Sequence, residues 1–291
     1  MDRQKEILIS VLLFAIGVVP LGIGAYIWSL PAIFIGITLA VAVLPSAYRL
    51  LRFPSLRQVS AGDVAKNVRQ PHLLPLAGGM LVAFSGIDGS GKTTQADRLV
   101  ESLKEQGVPA VRVWARWRPI VSYPFMGFLY MTRGWRRKDY AKISIIKRIW
   151  AYLVLIDQCV FALWNIWPHL LRGRVVCIDR YLVDQVVELK FDGLYNPNCA
   201  RLFSILLPMP DETFVLDVPV TEAIERKDDT GEMLDRLGID IDVKSYLNRR
   251  RSILLETATE LEATVIDTTH PISETHAKIR EKTLRRYFSS K

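Results

Sequence analysis

Eight consecutive residues, Gly86-Ile87-Asp88-Gly89-Ser90-Gly91-Lys92-Thr93, constrain this chain more than any other stretch of its 291 residues. They match the pattern G-x-x-x-x-G-K-[ST]. The run before them, MLVAFSG, has the unbroken apolar character of a buried strand. The run after them, QADRLVESLKEQG, repeats apolar residues at helical spacing and stops at Gly107. Glycines at this strand-to-helix turn let backbone N–H groups face inward around phosphate oxygens, and the helix adds the positive end of its dipole. Lys92 is then placed to neutralise β- and γ-phosphates, and Thr93 to put its hydroxyl on Mg²⁺. The expected nucleotide cradle is Gly86, Asp88, Gly89, Ser90, Gly91, Lys92, Thr93 and Thr94. The motif points to a nucleoside triphosphate without separating a kinase from an ATPase or a GTPase.

The remaining pattern from Met80 onward fits such a loop. AVRVW alternates as a second strand, and RVVCID, TFVLDV and ATVIDT are further apolar runs separated by helical stretches. Strands alternating with helices predict an α/β P-loop NTPase domain over residues 80–291, a parallel sheet with helices on both faces.

The amino-terminal part is different. From Ile7 to Tyr48 there is no charged residue, a run of 42 positions, about twice the roughly 20 needed to cross a bilayer. Pro20, Pro31 and Pro45 punctuate it. Two spans, Ile7–Trp28 and Pro31–Tyr48, are expected to form a helical transmembrane hairpin within residues 1–52. Tyr26, Trp28 and Tyr48 sit near the span ends, where amphipathic rings favour the interface. Arg3 and Lys5 precede the run, and Arg49, Arg52 and Arg57 follow it. Positive flanks on both sides favour both ends in the cytoplasm, and the domain that follows is expected there too. Residues 53–79, broken by Pro54, Pro71, Pro75 and Gly78–Gly79, read as a linker.

Composition excludes several classes. Half the residues are hydrophobic, so the chain is no disordered tail. Cys159, Cys177 and Cys199 form no CxxC pair and point to reduced thiols rather than a disulfide framework. Four scattered histidines offer no zinc site. The 38 Lys+Arg against 30 Asp+Glu give +8 and favour an anionic partner. No nucleic-acid module is visible, and the charge flanking the apolar run suits membrane lipid.

The segment FSGIDGSGKTTQADRLVESLKEQG resembles the opening of a thymidylate kinase. The likeness continues through Asp179-Arg180-Tyr181, the run ETFVLDVPVTEAIERK, the stretch GEMLDRLGID and VIDTTHPISETHAKI, over roughly residues 80–283. The resemblance implies ATP and Mg²⁺ as cofactors, with Asp179 and Thr93 on the metal side. It implies that Arg180 grips the acceptor phosphate and that Asp88 meets the acceptor's sugar hydroxyl. Gly89 follows Asp88, so the loop lacks an arginine. A catalytic arginine would come from the lid, with Arg226, Lys227 and Arg236 as candidates. Arg116 and Arg118, in Arg116-Trp117-Arg118-Pro119, are placed to position the acceptor. Members of the family often pair through helices, which makes a homodimer one implied assembly.

The sequence also departs from the family. Where members carry an arginine and a glutamine to read thymine, this chain carries Gln158 and Val160. Between Arg112 and Arg148 there are ten Lys/Arg and one acid, Asp139. The stretch Ile149–Leu171 holds Trp150, Trp164 and Trp167, with Asp157 as its only charge. That combination suits either a membrane-surface element or a buried core helix with a solvated basic face. The leading expectation is a membrane-tethered phosphotransferase moving the ATP γ-phosphate to a phosphate or hydroxyl acceptor. The acceptor is a dTMP-type nucleotide by resemblance, or a lipid or sugar intermediate by the departures. An ATP-binding regulatory or scaffold protein of a membrane complex is the alternative.

Overall fold

The computed structural model describes residues 79–115, 122–227 and 242–289. The expected hairpin at 1–52 and the linker at 53–79, Gly79 excepted, lie outside the described residues, as do Arg116, Arg118 and Arg236.

Five strands, β1 (Met80–Gly86), β2 (Ala110–Trp114), β3 (Val175–Asp179), β4 (Glu212–Asp217) and β5 (Thr264–Asp267), form one sheet in the order β2-β3-β1-β4-β5. Every pairing is parallel. The apolar runs of the sequence fall on these strands within a residue or so. Buried on both faces, β1 and β3 need no polar alternation. Side chains of β1 nonetheless divide by period two. Met80, Val82 and Phe84 pack on one face, against Ala96, Leu99 and Leu103 of α1 (Lys92–Glu105) and Ile279 and Tyr287 of α10 (Ile272–Ser289). Leu81 and Ala83 pack on the other face, against α4 (Ser144–Asn165).

The second face is built mainly by α4. Its inner side buries Trp150, Ala151, Val154 and Leu155, and Trp150 meets the ring of Tyr140, at the end of α3 (Arg137–Tyr140), at 4.9 Å. The stretch Ser144–Leu170, which includes α5 (Trp167–Leu170), is long and apolar enough to cross a membrane. The core covers its inner side, so it serves here as a core helix of the sheet. Asp157, its one buried acid, accepts from the backbone N–H and hydroxyl of Ser122 and so fixes the first residue of α2 (Ser122–Arg133).

Two helices pack beside the phosphate loop. The helix α6 (Leu182–Phe191) starts three residues after β3. The helix α9 (Val243–Glu260) packs along it. Tyr246 and Leu247 of α9 share a core with Val183 and Val187 of α6 and with Ile87 of the phosphate loop. Two further helices, α7 (Pro197–Leu206) and α8 (Val220–Arg226), complete the described elements.

The α4 core generates one stability prediction. Trp150→Ala is expected to lower unfolding stability by about 3–5 kcal/mol, the usual cost of truncating a buried large aromatic. Urea denaturation checks it, and a loss well below this range would show that the neighbours collapse into the space.

Candidate active site

The phosphate loop closes over its own lysine. Lys92 is buried, and its ammonium donates to the carbonyl of Ile87 at 2.7 Å and to the Ser90 hydroxyl at 3.4 Å. Ser90 N–H donates to Ile87 O at 3.2 Å, holding the turn. Gly89 and Gly91 adopt φ of +83° and +86°, the left-handed region that side chains with a Cβ avoid. At Gly89 a Cβ would also run into the carbonyl oxygen of Ala223. Burial lowers Lys92, and Arg180 pushes the same way. Asp88, Asp184 and Asp179 oppose them, and the ammonium settles at about 8.

Thr93 and Asp179 come from different elements and meet at the carboxyl end of the sheet. The Thr93 hydroxyl donates to Asp179 Oδ2 at 2.7 Å. The register that pairs Phe84 with Asp179 puts this carboxylate level with the last residues of β1. Its other oxygen, Oδ1, is buried and accepts no hydrogen bond among the described residues. A hard divalent cation with bound water suits an orphaned buried carboxylate oxygen beside a threonine hydroxyl, so the residues present fit Mg²⁺.

Arg180 faces the loop from the other side. Its guanidinium forms an ion pair with Asp88, and its backbone N–H donates to Phe84 O at 2.9 Å. Its φ of +64° lies in the left-handed region, which costs a non-glycine residue energy and persists where the surroundings demand it. Burial works against the charge of Asp88, yet Arg180, Lys92, Lys227 and Arg250 outweigh it and lower the carboxyl to about 2. Burial likewise works against the Arg180 guanidinium, and Asp88 and Asp184 restore it.

The structure thus brings Gly86–Thr94, Asp88, Lys92, Asp179 and Arg180 into one place. Of the lid candidates, Arg226 ends α8 with its guanidinium on Glu222 at 2.5 Å and on the Thr268 carbonyl at 2.9 Å. Lys227, one residue on, contributes its field to Asp88. Gln158 and Val160 are both buried on α4.

Three groups escaped the sequence reading. Asp184 is buried and accepts from the Ser85 hydroxyl at 2.5 Å, beneath the loop. Burial raises its carboxyl above the ordinary range despite Arg180 and Lys92. Its signal was an acid four residues after Arg180 in an otherwise apolar helix start. Arg112 of β2 donates to both oxygens of Asp97, at 2.6 and 2.7 Å, and lies 3.8 Å from Asp179. Its signal was an arginine in the run AVRVW. Arg250, paired with Glu188 at 2.7 Å, had no sequence signal beyond a basic helix.

A parallel sheet ordered around β1, with a phosphate loop at its carboxyl edge, defines a P-loop NTPase domain. Comparison with known proteins narrows that class. The family model described as thymidylate kinase matches residues 137–279. A probable thymidylate kinase of Archaeoglobus fulgidus is 30% identical over 202 residues, 69% of this chain and 93% of that protein. A thymidylate kinase of Fervidobacterium nodosum is 28% identical over 205 residues, 69% of this chain and 96% of that protein. The crystal structure of thymidylate kinase from Ehrlichia chaffeensis aligns at 21% identity with a TM-score of 0.47, covering 72% of this chain and 99% of that one. This chain belongs to the thymidylate kinase family and is a P-loop kinase, a phosphotransferase.

The state of Lys92 yields a linkage prediction. Above pH 8 the folded chain gives up this proton, while an unfolded lysine keeps it to its ordinary value of 10.5. Stability from this group therefore rises with pH between those values. Phosphate oxygens favour the charged form, so nucleotide binding at pH 8 is expected to take up about half a proton. Titration calorimetry with ATP in two buffers of different ionisation enthalpy measures it. Equal heats would show that the lysine is already fully charged.

Proposed function

We propose that this chain is a membrane-tethered kinase that moves the γ-phosphate of ATP to the phosphate of a nucleoside monophosphate of the dTMP type. The observation that carries the reading is the Arg180–Asp88 pair at the lip of the phosphate loop. A guanidinium there is a bidentate grip for an acceptor phosphate. The carboxylate beside it suits a sugar hydroxyl.

The chain's own residues do the following. Backbone N–H groups of Gly89–Thr93 and the Lys92 ammonium hold the β- and γ-phosphates. Arriving phosphate displaces Lys92 from the Ile87 carbonyl and returns its full charge. Arg180 leaves Asp88 for the acceptor phosphate and aims one of its oxygens at the γ-phosphorus. Lys227 or Arg236 brings a cation to the transferring group from the far side; Arg226 is held away by Glu222 and Thr268. Thr93 and Asp179 would hold Mg²⁺, which screens phosphate charge when bound. Positioning and charge supply most of the rate in such transfers.

A specific feature favours a second acceptor class, a lipid-linked or sugar phosphate. Gln158 and Val160 offer no cation for a base. Phe128, Met131 and Ile145 are exposed on α2 and α4 beside Arg133, Arg136, Lys147 and Arg148, a composition that suits an anionic bilayer surface. The tether itself rests on the uncharged run Ile7–Tyr48, with two spans and the kinase domain on the cytoplasmic side.

ATP consumption by the full chain in lipid, with dTMP, other nucleoside monophosphates and a membrane-lipid extract offered separately, decides the acceptor. ADP release with dTMP, abolished by Lys92→Ala, is the expected result. Transfer confined to the extract would replace the nucleotide reading with the second class. For the tether, carbonate-washed membranes are expected to retain the chain, and its recovery in the wash would remove the spans.

A further inference from the structure

One charged cluster beside this site takes no part in the steps above. On α6, Asp184, Glu188 and Phe191 follow one another at helical spacing along a single face. Asp184 turns to Ser85 beneath the phosphate loop. Glu188, one turn further, accepts from Arg250 of α9 at 2.7 Å. The same Arg250 nitrogen donates to the Tyr246 hydroxyl at 2.9 Å. The guanidinium also lies 5.8 Å from the Phe191 ring centre and 5.5 Å from that of Tyr246, and those rings meet edge to face at 5.1 Å. Arg250 is only 9% exposed. Among the described residues the rest of its guanidinium makes no hydrogen bond.

The cluster adjoins the core under the phosphate loop. Tyr246 packs in the same core as Ile87, the residue next to Asp88, and as Val183 and Val187. From the start of α6 to Glu188 the helix rises about 9 Å at ~1.5 Å per residue. Glu188 of the pair thus sits on the helix that begins two residues after Arg180, one turn beyond Asp184. Joining two helices does not require such a pair, because apolar side chains of similar volume usually hold as well or better than a buried ion pair. A guanidinium fixed by a carboxylate and a phenol, with donors left over, is instead a preorganised receptor for oxygen.

We propose that Arg250, oriented by Glu188 and Tyr246, is a specificity-determining group of the acceptor site that binds a hydroxyl, carbonyl or anionic oxygen on the body of the phosphate acceptor. This rests on Arg180 holding the acceptor phosphate, as inferred above. Electrostatics agree with the placement: the charge of Arg250 is felt at both Asp88 and Arg180. The oxygen can belong to a base or to a sugar, and the two sources separate in the assay.

The test uses the full chain in lipid with ATP and three acceptors: dTMP, 2-deoxyribose 5-phosphate, which lacks the base, and glucose 1-phosphate. The variants are Arg250→Lys, Arg250→Met, and the pair Glu188→Gln with Arg250→Met, which removes both charges of the pair together. In the wild type, preference for dTMP over the base-free ester points to a base oxygen, and preference for glucose 1-phosphate to a sugar oxygen. In all three variants KM for the preferred acceptor is expected to rise tenfold or more, with KM for ATP within twofold. The preference between acceptors should collapse. The double variant should keep the wild-type thermal midpoint while still losing the preference. Unchanged acceptor KM in Arg250→Lys and in the double variant would overturn the proposal and leave a helix-to-helix contact. Thermal shifts with each acceptor separate the two readings. A wild type that is stabilised by an acceptor but transfers nothing to it overturns the transfer reading alone, and loss of that shift in the variants still supports Arg250. A wild type that neither binds nor transfers to any of the three overturns both.

Discussion

The molecule depends on keeping an ammonium group inside a loop from which water is largely excluded. Lys92 is buried and held by the Ile87 carbonyl, and burial alone would strip its charge. Asp88, Asp179 and Asp184 surround it and partly restore the charge. Each of these acids needs its own reason to stay near the loop. Asp88 has Arg180, Asp179 has Thr93 and Asp184 has Ser85. The site is thus a set of mutual debts among charges, anchored to the carboxyl ends of β1 and β3.

The parallel register makes that arrangement possible. Pairing Phe84 with Asp179 sets the last turn of β1 beside the end of β3, so the nucleotide loop and the Asp-Arg-Tyr segment emerge together. The helices beginning there, α1 and α6, leave on different sides. One carries Thr93, and the other carries Asp184 and Glu188 away from Arg180. With the acceptor phosphate on Arg180, as proposed, distance along α6 becomes distance from that phosphate, and this is how Arg250, in another helix, is proposed to bear on acceptor choice.

Much of this was legible in the sequence, and the reasons are physical. Strands buried on both faces, β1 and β3, write themselves as apolar runs, whereas the edge strand β2 is only partly buried and was visible through its alternation. The loop was visible because its glycines have a steric job that few other residues can do. Lys92, Thr93, Asp179 and Arg180 lie within local motifs, and the fold brings them together. Asp184, Arg112 and Glu188–Arg250 were not legible, because their meaning comes from partners 99, 15 and 62 residues away. Among the lid candidates the sequence ranked Arg226 with its neighbours. Its pair with Glu222 is a local one-turn contact, but its capture by the Thr268 carbonyl depends on β5 lying beside β4, which no local pattern announces.

The backbone of Arg180 has a consequence for how this enzyme can vary. Its φ of +64° suits glycine or asparagine, whereas its ion pair with Asp88 and, on the proposed reading, an acceptor phosphate call for a forked cation. Residues that relax the backbone surrender the charge, and lysine, which keeps the charge, surrenders the fork without relieving the strain. Position 180 is therefore pinned by two unrelated demands at once, so neighbouring positions must absorb any drift in acceptor preference.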